Sequence, residues 1–321
     1  MGIDIDLMSL ERGSKESPLF ETAYLILPFY QPRISYMRQL ADTDLSHVSK
    51  AVWQENEHVC YKAIVKVMKY GDSFSYILDE ERIQMFEVEK RIHKEISSHP
   101  LNKIHRFTTR FFEAGLVEKG LILDDGKSAP LHYIVTERID GMDMEEFIYS
   151  NEDINNNLDI LTKTAIKISM MHNAGWVHRD IKPQNIMIDK KLDVLLIDHG
   201  FATPKGIILF DSGGACGTPL YMAPEVISDA FSYPMQSTDI FSFGVLAYES
   251  VEKRNPFAEQ KDDLQEIIRK IANDKRKPIT NQLAIESGIA SVIEGCIKPA
   301  VNERYSSMDA VVEDLSKCRY V

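Results

Sequence analysis

The feature that most constrains this fold is a change of hydrophobic rhythm partway along the chain. Val48 to Trp53 runs through the polar turn Gln54-Glu55-Asn56-Glu57 into Val59 to Met68, rich in β-branched and aromatic residues, which predicts two neighbouring strands. Further strands are predicted around Phe111 and over Leu131 to Thr136, with a turn at Asp124-Asp125-Gly126-Lys127. One charged helix, Asp79 to Ser97, interrupts them and carries Phe86, Ile92 and Ile96 as its apolar stripe. After Gly141 the spacing turns helical. Helices are predicted over Leu158 to His172, Ser237 to Val251, Asp262 to Ala272, Ile285 to Ile297 and Ser307 to Cys318. A strand-rich first third and a helix-rich remainder imply an α+β chain of two lobes.

A chain of 321 residues, 44% hydrophobic and 27% charged, can bury a substantial core. Its 49 acidic residues outnumber 37 basic ones, so a dedicated nucleic-acid binder, which needs a basic face, is not expected. No apolar run approaches the roughly 18 residues that would predict a membrane span. Cys60, Cys216, Cys296 and Cys318 stand apart, without metal-ligand spacing, which suits free thiols in a reducing, cytoplasmic compartment.

The chemistry-bearing residues concentrate in His178-Arg179-Asp180-Ile181-Lys182-Pro183-Gln184-Asn185 and, after the apolar stretch Leu192 to Ile197, in Asp198-His199-Gly200. Phosphoryl transfer needs a positioned hydroxyl, a base near its proton and divalent metal against the phosphate charge. Asp180 can be the base, Lys182 can face the transferred phosphate, and Asn185 and Asp198 offer the hard oxygens that Mg²⁺ takes.

These blocks, followed by Gly217-Thr218-Pro219-Leu220-Tyr221-Met222-Ala223-Pro224-Glu225, resemble the eukaryotic-type protein kinase family in order and spacing. The resemblance covers about residues 34 to 318. It implies a bilobal fold: an N-terminal extension over 1–32, a small β-rich lobe over 33–137 and a larger helical lobe over 138–321. It implies ATP with Mg²⁺, or Mn²⁺, and a protein substrate. Lys182 two residues after the base is similar to the Ser/Thr branch. Thr218 would bond near Asp180 and Lys182, Asp239 would anchor the backbone at His178, and Arg304 would pair with Glu225. Thr136-Glu137-Arg138-Ile139 resembles the hinge, with Thr136 at the back of the pocket and backbone groups of Glu137 and Ile139 on the adenine edge. Val48 and Ile64 would cover the ring, with Met187 beneath it.

The small lobe departs from the family pattern. Its glycine-rich loop falls at Ala41 to Val48, where Ala41, Thr43 and Ser46 replace the three glycines. Asp42 and Asp44 would face the triphosphate, each repelling a phosphate charge by about 2 kcal/mol at roughly 8 Å and an effective dielectric near 20. The strand lysine is Lys66, in Ala63-Ile64-Val65-Lys66, with Lys62 as the alternative. Lys62 suits the distance to Val48 and Lys66 the distance to the helix, and the two share a strand face. The helix partner is Glu89, or else Glu87.

His199 stands where the family has Phe, and His93 lies four residues after Glu89. Both would stack with His178, either as flat fillers with a hydrogen bond or as a pH-sensitive joint. Arg179 would receive a phosphate on the activation segment, with Ser212 the preferred acceptor among Thr203, Ser212 and Thr218. Two functions stay open on these residues: an active Ser/Thr kinase, or a pseudokinase that works as a binding module.

Overall fold

The computed structural model describes residues 33–42, 46–68, 79–122, 128–206, 217–228, 235–259 and 261–318. The extension over 1–32, the loop tip Thr43 to Leu45, the turn at Asp124 to Lys127, Ser212 and Cys216 lie outside the described residues.

Strands β1 (Ile34–Asp42), β2 (Ser46–Asn56) and β3 (Val59–Met68) lead to helices α1 (Asp79–Ser98) and α2 (Pro100–His105), then to β4 (Phe111–Ile122) and β5 (Ser128–Glu137). They form one antiparallel sheet in the order β1-β2-β3-β5-β4. Alternation divides β3 between two faces. Ala63, Val65 and Val67 join Ala51, Trp53, Leu131, Tyr133 and Val135 in one buried cluster. Lys66 lies opposite Val48, and Ile64 opposite Thr136, so these four share the other face. Helix α1 packs there through Phe86 against Met68 and Ile134. Ala41 pairs with Val48 and Asp42 with His47, which sets the β1–β2 turn at the glycine-poor loop.

The second lobe continues with β6 (Gly141–Asp143), α3 (Met144–Ser150), α4 (Ile154–Asn173), β7 (Trp176–Val177), β8 (Ile186–Asp189), β9 (Val194–Leu196), β10 (Thr203–Pro204), α5 (Pro224–Ser228), α6 (Gln236–Glu252), α7 (Leu264–Ala272), α8 (Gln282–Ser287), α9 (Ile289–Cys296) and α10 (Met308–Lys317). Helix α6 is buried along nearly its whole length: apolar residues from Ile240 to Val251 fill most of its surface, its buried polar groups are hydrogen-bonded at Asp239, Ser242 and Glu249, and α4 packs on it. Two small antiparallel sheets, β6-β8-β9 and β10-β7, frame the loop between β7 and β8.

Three predicted elements need correction. The single helix expected over Ile285 to Ile297 is two helices, because Gly288, with φ 92°, turns left-handed to cap α8 and redirects the chain. Helix α7 starts later than Asp262, since the Asp263 side chain accepts from Glu266 N–H and acts as the N-cap. The strand expected over Leu192 to Ile197 keeps only Val194–Leu196, because Leu192 sits in a left-handed turn with φ 61°. Among the described residues no helix is long and apolar enough to cross a membrane.

Candidate active site

The loop between β7 and β8 owes its shape to α6. Asp239, fully buried, accepts from the backbone N–H groups of His178 and Arg179, both at 2.8 Å, and from His172 Nε2 at 2.9 Å. Those bonds hold Arg179 at φ 67°, a backbone state a non-glycine residue adopts only when its surroundings over-determine it. Burial alone would raise the Asp239 carboxyl, yet His172 and the surrounding donors hold it below the ordinary carboxylate range.

Asp180 then projects with both oxygens occupied. Its Oδ1 accepts from Thr218 N–H and Thr218 Oγ1, each at 2.9 Å. Its Oδ2 accepts from Asn185 Nδ2 at 2.8 Å and pairs with Lys182 Nζ at 3.0 Å. Lys182 also donates to Thr218 Oγ1 at 2.7 Å. Gly217 permits this crossing: at φ 112°, a Cβ there would stand 2.7 Å from the Arg179 carbonyl oxygen.

Across the cleft, Lys66 Nζ lies 2.6 Å from Glu89 Oε1 and 3.1 Å from Asp198 Oδ1. Crowding by protein works against the ammonium, but Asp198 and Glu89 outweigh it and raise the Lys66 pKa above the ordinary lysine value. Crowding would likewise raise the Asp198 carboxyl, and Lys66 overrides it, so Asp198 stays ionised well below the usual range. Of the alternatives left open by pattern, Lys62 lies away from this array and pairs with Asp140, while Glu87 pairs with Lys90 and His132. Lys66→Met should therefore cut any phosphoryl transfer by about 10²–10³-fold, the scale for losing one charge-stabilising donor. Lys62→Met should stay within about twofold, since it removes only a surface pair. Initial rates of the two variants would check this, and equal losses would contradict it.

The fit to a divalent ion can be judged from the unused oxygens. Asn185 spends its Nδ2 on the Asp180 carbonyl and carboxylate, and its side-chain oxygen has no protein partner among the described residues. Asp198 uses Oδ1 for Lys66 and presents a side chain 44% exposed to the cleft, with Oδ2 unpartnered among the described residues. Two hard oxygens left open suit Mg²⁺.

At the hinge, Thr136 ends the β5 face shared with Ile64, and the Glu137 side chain is held by Arg106 at 2.7 Å and Arg110 at 3.4 Å. The Glu137 N–H is taken by the Arg110 carbonyl, so of its backbone groups the carbonyl is what it could offer a ligand. The Ile139 N–H has no hydrogen-bond partner among the described residues. Val48, Ile64 and Met187 are half-buried.

His93 and His178 flank His199 with ring centroids 4.9 and 5.3 Å away, but the rings do not stack as expected: the first pair is tilted at 51° and the second meets edge-on at 70°. Burial, then the neighbouring His93 and His178, push the His199 imidazole well below its ordinary pKa. The half-buried Arg179 guanidinium has no hydrogen bond or ion pair among the described residues, and Ser212 lies outside them. Arg304 binds Glu225 through two bonds of 2.8 and 2.7 Å, tying the segment after Thr218 to the end of the chain. Pattern alone missed Glu249, whose oxygens accept from Tyr149 at 2.9 Å and Tyr221 at 2.6 Å. Its only local signal is a carboxylate in the apolar second half of α6, between Tyr248 and Val251.

A β-rich lobe carrying the Lys66–Glu89 pair and a helical lobe carrying the Asp180–Lys182–Asn185 loop make the two-lobed architecture of a protein kinase domain. The sequence matches the protein kinase domain over residues 36–315. The chain belongs to the protein kinase family. It is 29% identical over 195 residues to a dual specificity protein kinase of Dictyostelium discoideum, covering 56% of this chain and 38% of that protein. It is 24% identical over 265 residues to a probable serine/threonine-protein kinase of Bifidobacterium longum, covering 80% of this chain and 35% of that one. A probable serine/threonine-protein kinase of Clostridium acetobutylicum is 30% identical over 204 residues, 62% of this chain and 30% of that protein. The chain thus spans well under half the length of these relatives.

Proposed function

We propose that the chain is an active Ser/Thr protein kinase that transfers the γ-phosphate of Mg-ATP to a protein hydroxyl. The observation that carries this reading is the joined array in which Lys66 touches both Glu89 and Asp198 while Asp180, Lys182, Asn185 and Thr218 interlock opposite. Asp180 accepts the proton of the substrate hydroxyl as its oxygen attacks the phosphorus, and ADP departs with the bonding pair. Lys66 holds the non-transferred phosphates, and Lys182 offsets charge on the group in flight. Asn185 and Asp198 would hold the metal ion, which neutralises phosphate charge when bound. Val48, Ile64 and Met187 enclose the adenine, with Thr136 behind it and backbone groups of Glu137 and Ile139 on its edge. Arg179 awaits a phosphate on the activation segment, Ser212 being the preferred acceptor.

Transfer of labelled γ-phosphate to the chain itself and to a generic protein substrate tests the reading, with phosphoamino-acid analysis separating Ser/Thr from Tyr products. No transfer with Mg²⁺ or Mn²⁺ would favour the second reading, a pseudokinase that binds partners. The glycine-poor loop supports that alternative, because Ala41, Thr43 and Ser46 restrict the approach of backbone N–H groups to phosphate. In either case, Asp42→Gly with Asp44→Gly should tighten ATP binding by about tenfold, allowing for screening of the roughly 2 kcal/mol repulsion per charge. Calorimetric dissociation constants of the two proteins decide it, and unchanged affinity would rule out the repulsion.

A further inference from the structure

Residues 105 to 108 lead from α2 into β4, so by sequence they belong to the small lobe, yet the large lobe holds them. Lys167 of α4 donates to the carbonyls of His105 at 3.2 Å and Arg106 at 3.0 Å, and pairs with Asp193 at 3.0 Å. Leu196 N–H of β9 donates to the Phe107 carbonyl at 2.9 Å. Thr108, 1% exposed, places its Oγ1 at 2.8 Å from the Leu196 carbonyl and 2.6 Å from Nε2 of the fully buried His199.

Proton counting sets the direction of these bonds. A threonine hydroxyl has one hydrogen, and a carbonyl can only accept, so that hydrogen goes to Leu196. Thr108 Oγ1 therefore accepts from His199, which fixes the Nε2–H tautomer. His199 Nδ1 is left bare, and it is buried without a partner. The bond to Thr108 is thus the one hydrogen bond of the His199 side chain among the described residues. The neighbouring His178 is locked independently: its Nε2 donates to the Ile197 carbonyl at 3.3 Å and its Nδ1 accepts from Asp180 N–H at 3.3 Å.

Asp198, one residue before His199, has φ 58°, a left-handed state that a non-glycine residue keeps only under constraint. We infer that Thr108 is a positioning residue: its hydroxyl holds the His199 ring inside the molecule and thereby keeps Asp198 turned toward Lys66. Without that acceptor, the buried imidazole has no partner at either nitrogen. Water then offers it more than the interior does, and the ring carries Asp198 away as it leaves. A phenyl ring at position 199 has no such need, because apolar burial alone retains it.

The inference rests on the kinase reading for its kinetic test but not for its structural one. In the full chain, Thr108→Val should lower kcat for Mg-ATP-dependent transfer about tenfold, and Thr108→Ser, which keeps the hydroxyl, should restore it to within about twofold. In a His199→Phe background, Thr108→Val should change kcat by less than twofold. Equal losses in both backgrounds would overturn the inference, since Thr108 would then act only through Leu196. Nitrogen-15 NMR of the histidine side chains reads the bond directly, even in a chain that transfers no phosphate. The His199 ring should carry its proton on Nε2 in the native chain and lose that preference in Thr108→Val. A ring protonated at Nδ1, or a tautomer ratio unmoved by the substitution, would overturn the inference whatever becomes of the kinase reading.

Discussion

Replacing Asp180 with Asn should reduce phosphoryl transfer by roughly 10²–10⁴-fold, the range for removing a general base. The geometry makes the loss larger than that of one proton acceptor. Asp180 Oδ1 receives two donors from Thr218, and Oδ2 receives the Asn185 amide and the Lys182 ammonium. An asparagine offers one accepting oxygen and one NH₂. Either way round, the NH₂ meets donors: those of Thr218 or those of Asn185 and Lys182. The substitution therefore removes the proposed base and also loosens Lys182, the lysine proposed to face the transferred phosphate. Affinity for ATP should change little, because the proposed phosphate and adenine contacts lie on other residues. Single-turnover rates alongside nucleotide titrations separate the two effects. Transfer within tenfold of the native chain would remove Asp180 from the role of base.

The largest expected stability effect belongs to Arg304→Met, at about 3–5 kcal/mol, the usual cost of removing one partner of a buried ion pair. The Arg304 side chain has no exposed surface, and Glu225 is 19% exposed. Beyond the two bonds to Glu225, the guanidinium donates to the carbonyls of Lys298 at 2.6 Å, Ser237 at 3.0 Å and Pro299 at 2.9 Å, and it lies 4.9 Å from the Phe241 ring centroid. Methionine fills much of the volume but satisfies none of these acceptors. A whole domain retains only about 5–15 kcal/mol of stability, so the variant should unfold at a much lower urea concentration. Adding Glu225→Met should recover part of the loss, because the stranded carboxylate is then gone too. A single-variant loss under about 1 kcal/mol would show the pair to be marginal. The same array ties the start of α5 to the chain's last helices, so the segment carrying Thr218 should lose order first.

How far the site was legible from residues alone depended on where each constraint is written. The loop from His178 to Asn185 is contiguous, and its chemistry follows from residue types five positions apart. Asp239, Glu225 and Arg304 stand out only by resemblance to a known pattern, and the structure places Asp239 on the loop backbone and Arg304 on Glu225. The choice between Lys62 and Lys66 was different. Both lie on one face of β3, and alternation treats them alike. Only the packing of α1 on that face, through Phe86, brings Glu89 to Lys66 and leaves Lys62 to Asp140.

Local periodicity and short motifs record local requirements. The order of residues therefore dictates the succession of lobes, the catalytic loop and the residue types available for base, metal and phosphate. Packing in three dimensions settles which lysine reaches the cleft, that Gly288 divides one predicted helix into two, and that Thr108 meets His199. The pairs 66 with 89, 66 with 198 and 108 with 199 are separated by 23, 132 and 91 residues. No periodicity spans such distances: the packing of α1 on the sheet sets the first pair, and the meeting of the two lobes sets the other two.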